Sequence, residues 1–158
     1  YIGFFEEERH LPFIYFAKMN VYPDKPEEPE RDRLVLSKGH TAPALYATLA
    51  EKGFFPKEEL KSLRHIGAML QGHPCISIPG VDMSSGSLGQ GISVACGMAL
   101  SGKLTSDTYK VYTILGDGEI SEQICDRERS ARMTRLCVEY SLEYSKTNLA
   151  GCDLKLFL

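Results

Sequence analysis

The sequence predicts an α/β fold in three layers, with helices on both faces of a mostly parallel sheet. Three observations carry this reading. Two short runs, Leu34-Val35-Leu36 and Val111-Tyr112-Thr113-Ile114-Leu115, are apolar almost throughout, as strands covered on both faces are. Segments of helical period lie between them. The second run ends directly in Gly116-Asp117-Gly118, and ligands of parallel sheets sit at the carboxyl ends of strands.

The elements follow in order. Pro12 is placed to open a short helix through Phe13, Ile14, Tyr15, Phe16 and Met19, since proline suits a first helical turn. Val21 to Arg33 reads as a charged loop with Pro23, Pro26 and Pro29. Leu34 to Leu36 is the first strand. Thr41 is the expected N-cap of a helix with Pro43 in its first turn, Ala42, Leu45, Tyr46 and Leu49 on its buried side, and Gly53 at its end. Pro56 is expected to open a second helix, with Glu58 and Glu59 at its positive end and Leu60, Leu63 and Leu70 buried. Gln71 to Met83 reads as loop. A third helix is expected from about Leu88 to Leu100, with Leu88, Ile92, Cys96 and Ala99 inward and with Ala95 and Gly97 permitting close packing. Lys110 to Leu115 is the last strand that the sequence marks.

Composition narrows the class. The chain has 158 residues, 43% hydrophobic and 25% charged, ordinary for one globular domain. A net charge of −3 with no basic face argues against nucleic acid. No apolar stretch approaches membrane-spanning length. The acidic start, Glu6-Glu7-Glu8, does not read as a targeting peptide, and the missing initiator Met reads as the mark of a fragment. The five cysteines form no C-x-x-C pair. They are expected to be free thiols in a reducing cytoplasm.

Three features carry chemistry. Asp117 stands between two glycines at a strand end, where a carboxylate can hold a magnesium ion against phosphate; a plain strand-to-helix turn with Asp117 as N-cap reads the same residues. Gly86-Ser87-Leu88-Gly89-Gln90-Gly91 precedes a helix, and helix N-termini attract anions. Its spacing is neither the dinucleotide fingerprint nor a P-loop, and a flexible loop is the plainer reading. His40 and His73 each follow a glycine in a turn, where an imidazole can face a cleft and move protons. His10 and His65 read as structural or solvated.

Taken in order, Leu36-Ser37-Lys38-Gly39-His40, Gln71-Gly72-His73-Pro74, Gly80 to Gly91 and Gly116-Asp117-Gly118-Glu119 resemble the N-terminal, diphosphate-binding part of transketolase, in the style of split transketolases whose halves are separate chains. The likeness runs from about Tyr15 to Glu122. It implies the thiamine diphosphate-binding fold, incomplete here at its C-terminal end. It further implies transfer of a two-carbon ketol unit between sugar phosphates, with thiamine diphosphate and a divalent metal such as Mg2+ as cofactors. By match of motif, Asp117 would be a metal ligand. Gly86, Ser87, Leu88, Gly118 and Glu119 would lie against the cofactor, and Glu122 near a subunit interface. His40 would sit near the diphosphate and the reacting carbon, and His73 would contact substrate hydroxyls. The resemblance also implies a homo- or hetero-oligomer, in which a C-terminal transketolase half supplies the activating glutamate. Deoxyxylulose-phosphate synthase and a non-catalytic module that only pairs with a partner are the alternatives; the two histidine motifs favour transketolase.

Beyond Glu122 the pattern stops. Gln123 to Arg132 is too charged for the helix expected there, and no buried strand leads into Asn148. Residues 1–122 are therefore read as a partial diphosphate-binding domain and 123–158 as a divergent tail produced by a change of reading frame. Such a chain is expected to leave a sheet edge exposed and to bind thiamine diphosphate weakly by itself.

Overall fold

The computed structural model describes residues 11–116 and 154–157. Asp117, Gly118, Glu119, Glu122, Asn148 and His10 lie outside them, as does most of the divergent tail.

The two apolar runs form parallel strands. β1 (Arg33–Leu36) pairs with β2 (Val111–Ile114), Leu34 opposite Tyr112 and Leu36 opposite Ile114. Successive side chains point to opposite faces, and both faces are covered. Leu34, Leu36, Tyr112 and Ile114 pack on one side against a helix over residues 11–17, α1, and against α2 (Ala42–Lys52), with Ile14, Tyr15, Tyr46 and Leu49 fully buried there. Val35, Val111 and Leu115 pack on the other side against α3 (Gly91–Thr105), through Ile92, Ala95 and Ala99. The expected three layers are thus present. β2 carries a further parallel neighbour, β3 (Leu154–Phe157), in the order β1-β2-β3. The expected exposed edge is therefore taken up on the β2 side, by a segment that sequence periodicity does not mark as a strand.

On its other edge β1 has no strand neighbour among the described residues, and a side chain takes that place. Leu34 N–H donates to Asp82 Oδ2 at 2.7 Å, and Asp82 Oδ1 stands 2.5 Å from an Arg31 guanidinium nitrogen. A carboxylate from a distant loop thus takes the donor that another strand would otherwise take. Asp32, immediately before β1, acts in a similar way and accepts from Asn20 N–H and Lys110 N–H.

Several element expectations need correction. Thr41 occupies the N-cap of α2 but makes no side-chain cap; its hydroxyl donates back to Lys38 O at 2.9 Å, because a 3-10 turn, Gly39–Thr41, precedes the helix. Gly53 does end α2, left-handed at φ 98°. Pro56 opens only a 3-10 helix, Lys57–Ser62, with no buried residue. A single leucine gives that stretch too little apolar surface for a helical face, and Arg64 turns the chain at φ 65°. Leu60 and Leu63 are partly buried, whereas Leu70 is fully buried from the loop that follows. α3 begins at Gly91 rather than near Leu88 and runs on to Thr105. Leu88 is exposed, so it belongs to no buried face. Gly97 faces open space; the close contact in α3 is Gly102 against Tyr109.

Candidate functional site

β1 and β2 end side by side, with Ser37 N–H donating to Ile114 O at 2.9 Å. The Ser37-to-His40 turn therefore leaves the sheet next to Leu115-Gly116. Gly116 is the last described residue before Asp117.

Around Ser37 three separate segments close on one another. A Cβ on Gly91, the first residue of α3, would lie 2.7 Å from Ser37 Cα. A Cβ on Gly39 would lie 2.7 Å from the carbonyl carbon and oxygen of Ser85. Side chains at these two positions have no room, so bare backbone is required for the approach. Gly86 in turn lies against the His73 ring, its Cβ position 3.3 Å from Cδ2. Ser85 N–H donates to Pro74 O at 3.3 Å. The turn of His40, the loop of His73 and the Ser85-Gly86 turn are thereby one cluster. The first N–H groups of α3, which have no acceptor within the helix, belong to the same edge.

His40 and His73 are both exposed, as are Gly86, Ser87 and Leu88. They form a surface open to a ligand rather than a sealed core. His65 is exposed as expected, although in a turn rather than a helix. The His73 loop is anchored from below by Tyr46, whose hydroxyl lies 2.9 Å from the carbonyls of both Gln71 and His73. Burial raises the pKa of this phenol, so it stays protonated and donating. Tyr46→Phe is expected to remove this support at a cost of about 1–2 kcal/mol. Urea unfolding measures the loss, and hydrogen exchange of the amides of residues 71–73 and 75 should quicken; unchanged exchange would show that the loop is held elsewhere.

Two residues here were not singled out from the sequence. Tyr46 reads there as one more apolar helix position. Ser85 reads as part of a helix lead-in, yet its hydroxyl is buried without a partner among the described residues. Only the tertiary contact with Gly39 makes it notable. Beside the cluster, the exposed Cys75 thiol accepts from the Ser77 hydroxyl at 3.2 Å, which chiefly lowers its pKa. Cys96 is half-buried in α3, and the other cysteines lie outside the described residues. No group of three metal-ligating side chains occurs among the described residues, and Asp117 is not one of them. No helix among them is long and apolar enough to cross a membrane.

A glycine-lined turn, a helix N-terminus and exposed histidines at the carboxyl edge of a parallel sheet define a diphosphate-binding α/β domain. Residues 10–138 match the family described as transketolase, thiamine diphosphate binding domain, and the chain belongs to that family. It is 48% identical over 112 residues to an apulose-4-phosphate transketolase subunit of Phocaeicola vulgatus, covering 71% of this chain and 40% of that protein. It is 52% identical over 113 residues to 6-deoxy-6-sulfo-D-fructose transketolase subunit SqwG of Clostridium sp., covering 71% and 41%. With human transketolase it shares 49% identity over 113 residues, 71% of this chain but 18% of that one. The chain thus spans well under half the length of these relatives. The solved transketolase of Leishmania mexicana superposes with a TM-score of 0.73 at 27% identity, over 91% of this chain and 21% of that one.

The residues present fit thiamine diphosphate. The bare backbone of Gly39 and Gly91 lets Ser85 and Ser37 pack directly against it and so brings the Ser85-Gly86 turn and the start of α3 to one edge, and the buried Ser85 hydroxyl holds hydrogen-bonding capacity unused by the described residues.

Proposed function

We propose that this chain is the diphosphate-binding portion of an enzyme that moves a two-carbon ketol unit from a ketose phosphate to an aldose phosphate. The convergence of Gly39, Ser85-Gly86 and His73 at the sheet's carboxyl edge carries this reading. Thiamine diphosphate would supply the nucleophilic carbon. Gly86, Ser87, Leu88, Gly118 and Glu119 would line its place. His40 would sit beside the diphosphate and hold or move a proton there. His73 would orient substrate hydroxyls, its backbone held by Tyr46 from below and its ring lying beside Gly86. Asp117 would hold Mg2+ or a similar divalent ion.

A separate C-terminal half would supply the activating glutamate in a homo- or hetero-oligomer, as the names of two relatives, each one subunit of a transketolase, support. The exposed free thiol of Cys75 supports a cytoplasmic setting. The boundary at Glu122 and the reading-frame change belong to the same proposal. Sequencing the encoding DNA tests them: an alternative frame with no buried strand ending in asparagine would remove the idea.

The functional test is reconstitution. The chain alone is expected to show no ketol transfer and no tight calorimetric binding of thiamine diphosphate with Mg2+. Mixed with a C-terminal half, it should transfer ketol units, and His73→Ala should lower that rate by about 100-fold or more. A complex that assembles without activity would leave only a binding module.

A further inference from the structure

A cavity of about 340 Å3 lies between the loop carrying Pro26 and Arg31, the 76–82 loop, Met98 in the middle of α3, and Tyr109. Gly80, Val81 and Asp82, which open the Gly80-to-Gly91 motif, line it, but His40, His73, Ser85 and Gly86 do not. Arg33 opens β1 and Tyr109 shortly precedes β2, so the cavity flanks the amino edge of the sheet, whereas the cluster lies at the carboxyl edge. Its size falls in the range of small-molecule sites, about 300–1,000 Å3.

Two guanidinium groups line it, and their charges are balanced differently. Arg31 is paired with Asp82 at 2.5 Å. Arg33 has no carboxylate partner among the described residues. It reaches the backbone carbonyls of Arg31 and Pro29, and its Cζ lies 4.9 Å from the centre of the Tyr109 ring. Tyr109 is itself fixed by donating to Met98 O at 2.9 Å. A guanidinium has five N–H donors, and these two carbonyls leave the rest of the fork available. Arg33 is half-buried, and burial first, then the neighbouring Arg31, hold its pKa below the usual guanidinium value. A partly desolvated cation on a rigid support gains more from an anion than a mobile surface arginine does. Glu27, exposed on the rim, is the competing carboxylate.

We propose that this cavity binds the phosphate or carboxylate group of a small metabolite, held by the Arg33 fork over Tyr109. The site is independent of the proposed ketol transfer.

The test is an amide and arginine side-chain NMR titration of the full chain with inorganic phosphate and, separately, acetate, at constant ionic strength. At least one anion should shift the amides of Arg33, Gly80 and Tyr109 saturably, and comparison of the two tells phosphate from carboxylate recognition. Arg33→Gln should weaken the affinity about tenfold or more, the loss of a charge-assisted hydrogen bond. Glu27→Gln should tighten it. Absence of saturable shifts overturns the assignment. So do shifts confined to residues 86–91, which would place the anion at α3 only, and so does an affinity indifferent to Arg33→Gln. Should that variant fail to fold, the Arg33 Nε–H resonance of the unaltered chain decides: it moves saturably with the anion, or the proposal falls.

Discussion

Replacing Asp82 with alanine is expected to lower stability by about 3–5 kcal/mol, because it strands the buried charge of Arg31. Both side chains are nearly sealed, at 9% and 2% exposure. The same change leaves Leu34 N–H at the edge of β1 without its acceptor. With a denaturant slope of about 1–3 kcal/mol per molar urea, the midpoint should fall by about 1 M or more. The double variant Arg31→Met, Asp82→Leu should recover most of the loss, since a buried pair is often replaceable by apolar groups of similar volume. If Asp82→Ala is neutral, or the double variant is no better than the single one, the pair does not hold this edge as described.

The same carboxyl has a consequence for pH. Burial raises the Asp82 pKa, and Arg31 and Leu34 N–H only partly offset it. A carboxyl raised in the folded state binds its proton more tightly there than in the unfolded chain. The part of its stabilisation that comes from this proton binding, separate from that of the Arg31 pair, is therefore full below the ordinary carboxyl value of 3.8. It is lost as pH rises through the folded value. The acid limb of the stability profile should accordingly be steeper for Asp82→Ala than for the parent chain, whose Asp82 holds its proton in the folded state and so opposes acid unfolding.

Gly39→Ala is expected to damage the candidate site more than the fold. Its Cβ would meet the backbone of Ser85 at 2.7 Å, and backbone cannot rotate aside as a flexible side chain can. Overpacking of this kind costs about 1–3 kcal/mol. The turn must move off Gly39, which shifts Gly86 against His73. A displacement of about 1 Å costs on the order of 100-fold in rate, so the reconstituted activity should fall by at least that factor. Gly97→Ala is the matched control. A Cβ there meets nothing within 4 Å, and helix propensity should raise stability by about 0.5–1 kcal/mol. Equal behaviour of the two variants would mean that Gly39 and Ser85 do not touch.

The strands and α2 were legible because their signals are local. Leu34 to Leu36 and Val111 to Leu115 are apolar on both faces, and Gly53 marks a helix end by its own backbone freedom. The 57–70 stretch misled because the leucines at 60, 63 and 70 have helical spacing, while the left-handed turn at Arg64 is invisible to periodicity. The start of α3 misled because Leu88 counts as apolar wherever it points, and only the fold leaves it exposed. Charge counts could not pair Arg31 with Asp82, which lie far apart in the chain.

The chemical vocabulary of this protein is written in the order of its residues: which glycines, which histidines, and two strands with helices between them. Periodicity and turn chemistry act over a few neighbours, so a linear reading reaches them. Which turns meet is another matter. The contact of Gly39 with Ser85, the carboxylate edge-cap on β1, the third strand beside β2 and the arginine-lined cavity exist only after distant loops are packed together. Their energies come from space that only one arrangement of the whole chain encloses.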